Sequence, residues 1–428
     1  SPAAAAGFRI EGQDARAIGA ALAGAPARWG DAGFAVYNPA TLGGVNRFDF
    51  SGTSSGLIID SRYENASATL LGAFPVSGGA SGEGPLADAY VPSMALGVRL
   101  GERLVVGVTL NAPFGLKSEY GRDSALRYQA QTSELKTIAA TPMAAVSVAP
   151  GLTIGAGVRI QYADLSVSSA NDAAGIALAS SLGAFTPGTE DVYADFGGDD
   201  IAVGFVAGAQ ARPFAGLTLG FSYTSKIEHD LKGSATFDLA GSPSGALLAG
   251  FGLFQDGGAA AGLVTPALIE FGAVLAVTER LDLLASASLA RWSSFDSIAI
   301  VFDNPAQPDE VLTQNWNDAW AVSLGAEYRA GEKTTLRAGV MLDDSPVNDA
   351  LASPRIADAD RFWVAAGVTR DLSEQWSADL GGAVVFFDER RYDISGATPE
   401  TLFRGAATAT GQATAFVVSA RKQRRPSP

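Results

Sequence analysis

The stretch Thr153-Ile154-Gly155-Ala156-Gly157-Val158-Arg159-Ile160-Gln161-Tyr162-Ala163-Asp164-Leu165 alternates without interruption. On an extended chain Ile154, Ala156, Val158, Ile160 and Tyr162 share one face, and Thr153, Gly155, Gly157, Arg159 and Gln161 share the other. Strands of soluble sandwiches stop after about 5–6 residues. This one continues for about ten or more, the length that carries a tilted strand across a bilayer. Its apolar face then meets lipid and its polar face an interior.

The pattern recurs on both sides of this stretch. Leu217, Leu219, Phe221 and Tyr223 oppose Thr218, Gly220, Ser222, Thr224 and Lys226. Trp320, Val322, Leu324, Ala326 and Tyr328 oppose Ala321, Ser323, Gly325, Glu327 and Arg329. Aromatics near the run ends, Tyr162, Tyr223, Trp320, Tyr328, Trp363 and Trp376, fit interfacial girdles. The connections alternate between two kinds. Tight ones lie at Gly101-Glu102, Pro150-Gly151, Pro213 to Gly216, Thr278 to Arg280, Ala330 to Glu332 and Asp371 to Glu374. Long polar ones cover Ser61 to Leu86, Ser118 to Gln131, Ser169 to Asp199, Ser234 to Gly262, Ser297 to Gln314, Ser345 to Ala357 and Asp393 to Phe403. Short turns at one end and long loops at the other predict an all-β fold, a transmembrane antiparallel barrel of about fourteen strands, give or take two.

Solvent then demands closure, because each unpaired backbone group in hydrocarbon costs several kcal/mol. A barrel this wide has a lumen that its own side chains do not fill. The Ala-rich segment Gly7 to Val45, with the turn signal Asn38-Pro39-Ala40, is the one sizeable filler. The expected division is residues 1–45 as an N-terminal hatch, 46–421 as barrel and 422–428 as a solvated tail. Ser1 to Ala5 reads as either the end of a removed signal peptide or an expression remnant.

Composition narrows the function. The chain has 428 residues, 45 acidic against 30 basic, and a formal charge of −15, which argues against nucleic acid as a partner. It has no cysteine, hence no disulfide, thiol nucleophile or thiolate metal site. No uninterrupted apolar run reaches the roughly 20 residues of a spanning helix. No phosphate-binding loop is present, and neither cofactor nor resident metal is expected. The lone histidine, His229, lies near the outer end of a strand, an ordinary surface position; the enzyme alternative is a barrel lipid hydrolase using a Ser-His-Asp site. Asp343, Asp344, Asp358 and Asp360 read as solvated loop carboxylates or, alternatively, an outer divalent-cation site.

Two departures from regularity are informative. Leu104 to Leu110 alternates, then meets Asn111-Ala112-Pro113-Phe114-Gly115. Proline cannot donate to a ladder, so pairing is lost there, either as an opening in the wall or as the end of the strand. Two long loops carry apolar helix-like segments: Ile176, Leu178, Leu182 and Phe185 in one, Leu247, Leu248, Phe251 and Phe254 in the other. Apolar residues in an outer loop mark contact, with a ligand or with each other.

Several short pieces, in order along the chain, resemble the FadL/TodX family of outer-membrane transporters. They are Ala6-Gly7-Phe8, Asp31-Ala32-Gly33 with Asn38-Pro39-Ala40, Arg291-Trp292-Ser293-Ser294-Phe295, Asn317-Asp318-Ala319-Trp320 with Leu324-Gly325, Asp343-Asp344-Ser345-Pro346, and Pro354 with Asp358 to Trp363. The resemblance implies a fourteen-stranded barrel with a hatch, capture of hydrophobic compounds on the outer loops, a pocket beside Phe8 and Ile10, and sideways exit at a kink comprising Asn111, Pro113, Phe114 and Gly115. It also implies basic residues for a fatty-acid carboxylate, but the matching positions hold Ser169 and Leu312. Arg159 and Lys226 are lumenal by parity. A buried carboxylate without a cation is costly, so a neutral or weakly polar ligand is expected beside the family's long-chain fatty acids: an aromatic hydrocarbon, or an acyl ester, amide or lactone. Barrels of this class usually end on an aromatic residue, whereas here the chain continues past Phe416 through Arg421-Lys422.

The expected function is passive uptake of hydrophobic small molecules across the outer membrane of a Gram-negative bacterium. Gly7 to Val45 is too short to resemble the plug of an energy-coupled transporter, which favours passive movement. The expected neighbours are a hydrophobic ligand, outer-membrane lipid and lipopolysaccharide, around a monomer. The rival is a structural or adhesive barrel that transports nothing.

Overall fold

The computed structural model describes residues 7–394 and 404–424. Its strands form one antiparallel sheet of fourteen staves, several interrupted in their outer halves. They are β1 (Phe48–Leu70), β2 (Ala89–Arg99), β3 (Leu104–Asn111, resumed as Gly115–Glu119), β4 (Thr132–Ala149) and β5 (Leu152–Asp172). Next come β6 (Asp191–Phe214), β7 (Leu217–Thr224 and Ile227–Asp238), β8 (Gly257–Thr265 and Leu268–Ala276), β9 (Leu281–Ala290 and Ser297–Phe302) and β10 (Glu310–Thr313 and Ala319–Arg329). The set ends with β11 (Thr334–Asp343), β12 (Arg361–Asp371), β13 (Trp376–Phe387 and Arg390–Ile394) and β14 (Ala406–Arg424). β1 pairs with β14 from Phe50↔Arg424 to Thr69↔Ala406, which closes the cylinder. The last strand thus runs beyond the expected boundary at Arg421. The tail from 425 lies outside the described residues, as does most of the loop expected at Asp393 to Phe403.

Alternation is the wall's organising rule. Ile154, Val158 and Ile160 are 49%, 49% and 43% exposed to the surroundings, whereas Thr153 and Gln161 on the other face are buried. Trp320 and Tyr328 point outward as expected, but Trp363 does not. It shares parity with Arg361 and Ala365 and is buried in the lumen, while Phe362 and Val364 face outward. The strands also run further than the alternation does. β1, β5, β6 and β7 carry their ladders into segments expected to be loop. Outside the bilayer both faces meet water, so the apolar signal fades while backbone pairing continues.

The segment from Gly7 to Val45 lies inside the barrel, and none of its residues is exposed. It comprises the short helix α1 (Ala15–Ile18) and three 3-10 turns, Ala25–Ala27, Ala32–Val36 and Pro39–Gly44. Asp14 caps α1 by accepting from the Arg16 and Ala17 amides at 2.8 and 3.3 Å, and Asn38 caps the last turn through the Ala40 amide at 2.9 Å. Asn38 also donates to the Ala209 carbonyl of β6 at 3.1 Å. Pro39 and Ala40 press against Gly155 of β5. Buried charges complete the attachment. Arg421 of β14 meets Asp14 at 3.2 Å and also Asp31, and Arg16 reaches Glu327 of β10 at 3.1 Å.

The fit depends on small residues on both partners. A side chain at Gly339 of β11 would overlap the Ala20 carbonyl, and one at Gly381 of β13 the Ala15 carbonyl. Backbone therefore lies against backbone, with no rotamer free to yield. Gly339→Val should destabilise the seated hatch by about 1–3 kcal/mol or more. Cells making the variant should become permeable to a small hydrophilic dye, while the folded barrel still migrates fast on an unboiled gel. Unchanged permeability with a folded barrel would mean that this segment is not the stopper.

Candidate ligand path and wall opening

The ladder between β2 and β3 runs from Arg99↔Val105 to Met94↔Leu110 and stops. It resumes near the outer rim, where Leu86 bridges Ser118 and the Glu119 amide donates to the Pro85 carbonyl at 2.8 Å. Between these points, residues 88–93 and 111–116 form no ladder across the seam. The other edge of β3 stays attached to β4, with Asn111↔Ala139 and Gly115↔Lys136 on either side of the kink. Pro113 has no N–H to give. Thr137 compensates locally: its hydroxyl accepts from the Phe114 amide at 2.9 Å and donates to the Phe114 carbonyl at 2.7 Å. Pro92 sits on the facing strand, a second residue that cannot donate. The kink therefore interrupts the β2–β3 ladder inside the strand, with pairing on either side of it.

The leading residues of the hatch fill that break. The Ile10 amide donates to the Pro113 carbonyl and the Gly115 amide to the Phe8 carbonyl, both at 2.8 Å. These two bonds bracket the Arg9↔Phe114 bridge. Gln13 Nε2 donates to the Ala112 carbonyl at 2.7 Å, and the Ser93 hydroxyl donates to the Gln13 carbonyl at 2.5 Å. Hatch and kink share one set of hydrogen bonds.

Beside the break, the Phe8 ring occupies an aromatic cage. Its centroid lies 4.5 Å from Trp292, 5.4 Å from Phe295, 5.7 Å from Trp316 and 6.0 Å from Phe114. Trp292 and Phe295 point inward because a 3-10 turn, Trp292–Ser294, interrupts β9. Asp318 holds that turn, pairing with Arg291 at 2.7 Å and accepting from the Ser293 amide at 3.0 Å. Leu312, one of the two positions matched to basic residues, joins the cage's apolar surround; Ser169 is buried on the inner face of β5.

Asp343 and Asp358 are buried rather than solvated loop carboxylates, and Asp358 anchors the front of the hatch. Asp358 accepts from the Gly7 amide at 3.0 Å and from the Ser345 hydroxyl at 2.6 Å, and pairs with Arg361 at 3.3 Å. Burial holds its carboxyl above the usual carboxylate range, against the pull of Arg361 and those two bonds. Asp343 also faces Arg361, at 3.3 Å, and Asp360 accepts from the Ser345 amide at 2.7 Å.

The outer loops contribute helices α2 (Ala173–Ala179) and α3 (Pro243–Ala249), which pack together. Leu248 and Phe254 are buried in this packing, Ile176, Leu182 and Phe185 partly so, and Leu178 is half-buried. Leu247 and Phe251 face outward, 37% and 63% exposed. A cavity of about 210 Å³ lies alongside, lined by Ile176, Phe237, Leu253, Phe254, Phe302 and Val311. The candidate loop residues therefore divide between helix packing, cavity wall and exposed tip.

Three positions correct or extend the sequence reading. His229 is not a surface residue: it is buried, with Nδ1 3.1 Å from Asp200 and Nε2 3.0 Å from Gln161, and no serine bonds it among the described residues. Lys226 leaves the lumen, because β7 breaks at residues 225–226 and shifts the parity; it pairs with Glu228 at 2.6 Å in the open. Arg355 escaped notice although it follows Pro354. It is buried and donates to the Ser133 hydroxyl and the Gln129 carbonyl, both at 3.2 Å, pinning the loop before β12 onto β4. The cage residues Trp292, Phe295 and Trp316 were also not legible as a site. Their signal was an aromatic-rich stretch placed where alternation fails.

A closed cylinder with an internal hatch, an aromatic cage and a break in one ladder is the architecture of an outer-membrane transport protein. Residues 1–424 match the family described as "Outer membrane protein transport protein (OMPP1/FadL/TodX)", and the chain belongs to that family. It is similar to the putative outer membrane protein NMB0088 of Neisseria meningitidis, 27% identical with 91% of this chain and 87% of the relative covered. It is also similar to the long-chain fatty acid transport protein of Escherichia coli O6:H1, 24% identical with 88% and 86% covered. Among solved structures, a Pseudomonas aeruginosa FadL homologue superposes with a TM-score of 0.90 at 25% identity, covering 98% of this chain and 100% of that one. The toluene transporter TodX of P. putida shares the fold at a TM-score of 0.73 and 16% identity, with 98% and 100% covered. The family consists of transport proteins rather than enzymes, and this chain is a protein of the Gram-negative outer membrane.

Proposed function

We propose that this protein admits hydrophobic small molecules, long-chain fatty acids or neutral acyl and aromatic compounds, by passive lateral diffusion through the β2–β3 window. The observation that carries the reading is the hatch's leading strand, Phe8 to Gln13, filling a gap that the wall's own ladder leaves open. A ligand first meets Leu247 and Phe251 and the cavity walled by Ile176 and Phe254. It then replaces the Phe8 ring in the cage, which withdraws Phe8 and Ile10 from Phe114 and frees the window. Asn38-Pro39-Ala40, tied to β5 and β6, keeps the rest of the hatch seated. Apolar burial at about 25 cal/mol per Å² drives each transfer, a gradient no water-filled pore offers. The names of the relatives, for fatty acids and for toluene, support this ligand class. A purely structural or adhesive barrel has no use for an aromatic cage beside a gap. The protein acts as a monomer among lipid and lipopolysaccharide.

The test is to straighten the bulge by replacing Asn111 to Gly115 with an alternating, proline-free stretch. In cells lacking other routes, uptake of a hydrophobic compound should fall several-fold with the barrel still folded. Uptake at the original rate would remove the window from the path.

A further inference from the structure

Lys422 and Arg424 lie two residues apart on β14, exposed on the outward side of the wall. Phe416 and Val418 precede them on the same face, 44% and 53% exposed, so the two cations sit at the edge of the lipid-facing apolar band. Short turns mark this end of the barrel as periplasmic. Trp376, which opens β13, is the register partner of Arg424. Its ring holds both cations: the Lys422 ammonium lies 4.4 Å from the centroid and the Arg424 guanidinium 5.6 Å. Lys422 stands between Gly52 of β1 and Ala378 of β13, neither large enough to cover it, and the Phe50 ring rests against Gly52.

Other cations at this end are occupied. Arg99 donates to the Val45 and Gly43 carbonyls at 2.7 and 2.6 Å, Arg329 pairs with Asp282 at 2.8 Å, and Arg212 stacks on Trp29 of the hatch at 3.8 Å. Lys422 and Arg424 have neither a carboxylate nor a hydrogen-bond acceptor among the described residues. Two like charges drawn to one ring repel each other, the more so beside low-dielectric hydrocarbon. An anion between them offsets that repulsion.

We propose that Lys422, Arg424 and Trp376 bind the phosphodiester head group of an anionic phospholipid in the periplasmic leaflet. The guanidinium fork suits two phosphate oxygens, the ammonium adds a point charge, and the indole belongs at head-group depth. Lipid is the occupant because this face of β14 continues directly into the apolar band, where an acyl chain runs along Val418 and Phe416. The whole chain carries −15, so its distant field repels anionic lipid and only a local pair of cations reverses the sign. The pair flanks the periplasmic end of the β1–β14 seam, so a head group held there ties the closing strand to the membrane surface. This site is separate from the ligand path, and neither reading depends on the other.

The test puts the full chain into phosphatidylcholine vesicles containing a minor share of dibrominated phosphatidylglycerol, or the same share of dibrominated phosphatidylcholine, and reads tryptophan quenching. The anionic lipid should be enriched at the protein by about tenfold or more, the attraction of two interfacial cations. Lys422→Gln with Arg424→Gln should abolish the enrichment. Arg280→Gln with Lys333→Gln, which removes the same charge from two other exposed positions at this end, should leave it unchanged. Lys422→Arg with Arg424→Lys keeps both charges, should keep most of the enrichment, and serves if the glutamine pair does not fold. Equal quenching by the two lipids in the parent overturns the assignment. So does equal loss in the Arg280 and Lys333 variant, which would make the attraction a property of the whole rim. Inorganic phosphate in excess should not compete; if it removes the enrichment, the cations take free phosphate and the lipid assignment falls.

Discussion

Oxidation of a chain carrying Arg9→Cys and Phe114→Cys is expected to reduce hydrophobic uptake to background, and a reductant is expected to restore it. The geometry is favourable. The bonds from Ile10 to Pro113 and from Gly115 to Phe8 flank the Arg9↔Phe114 pair, leaving it as the non-hydrogen-bonded kind. Such pairs bring Cα atoms to about 4.5 Å with side chains close together, inside the range a disulfide spans. The native chain has no cysteine, so no other thiol competes. The crosslink fixes the hatch's leading strand in the window and leaves the barrel otherwise unchanged. The reduced double variant is the control, because it carries the same loss of the Arg9–Glu270 pair and of the Phe114 ring. Equal uptake in the oxidised and reduced states would mean that the ligand leaves elsewhere, for all the suggestive hydrogen bonding at this seam.

Phe8→Ala should have the second largest effect, in two directions at once. The ring is fully buried among Trp292, Phe295, Trp316 and Phe114. Removing it leaves a hole that the surrounding indoles cannot close, at a cost of about 3–5 kcal/mol to the seated hatch. Thermal unfolding should register that loss. The same hole is dry and apolar, a setting that takes up hydrophobic molecules. Binding of a neutral hydrophobic probe should therefore tighten, since no side chain has to be displaced first. A variant as stable as the parent, or one that binds the probe more weakly, would show that Phe8 does not stand in for the ligand.

Much of the wall was readable because lipid enforces a simple rule on alternate residues. Ile154, Val158 and Ile160 obey it, and the strand number, the enclosed N-terminal segment and the weak point at Pro113 follow from the same reasoning. The rule fails where a strand is interrupted. The break at residues 225–226 turned Lys226 out of the lumen, and His229 gained partners on two neighbouring strands that spacing could not reveal. Trp363 was misplaced by one step of parity, since an aromatic near a strand end suits either face until its neighbours are known. The site was less legible than the fold. Phe8 meets Phe114, Trp292 and Trp316, which lie 106 to 308 residues further along the chain (114 − 8 and 316 − 8), and no periodicity encodes contacts at that separation. Arg159 could be assigned to the inner face, but that it makes no ion pair appears only in the folded barrel, where Arg9 engages Glu270.

Arg421 and Gln423, in the strand that closes the barrel, reach back to Asp14, Asp31 and Asp49 near the start of the chain. Without the hatch, the Arg421 guanidinium would lose both of its carboxylate partners inside the lumen. Biogenesis must then load the cargo before the last stave zips to the first. Insertion machinery that handles this protein has to hold an unfinished sheet open around its own N-terminus, so errors in timing should yield empty shells rather than unfolded chains.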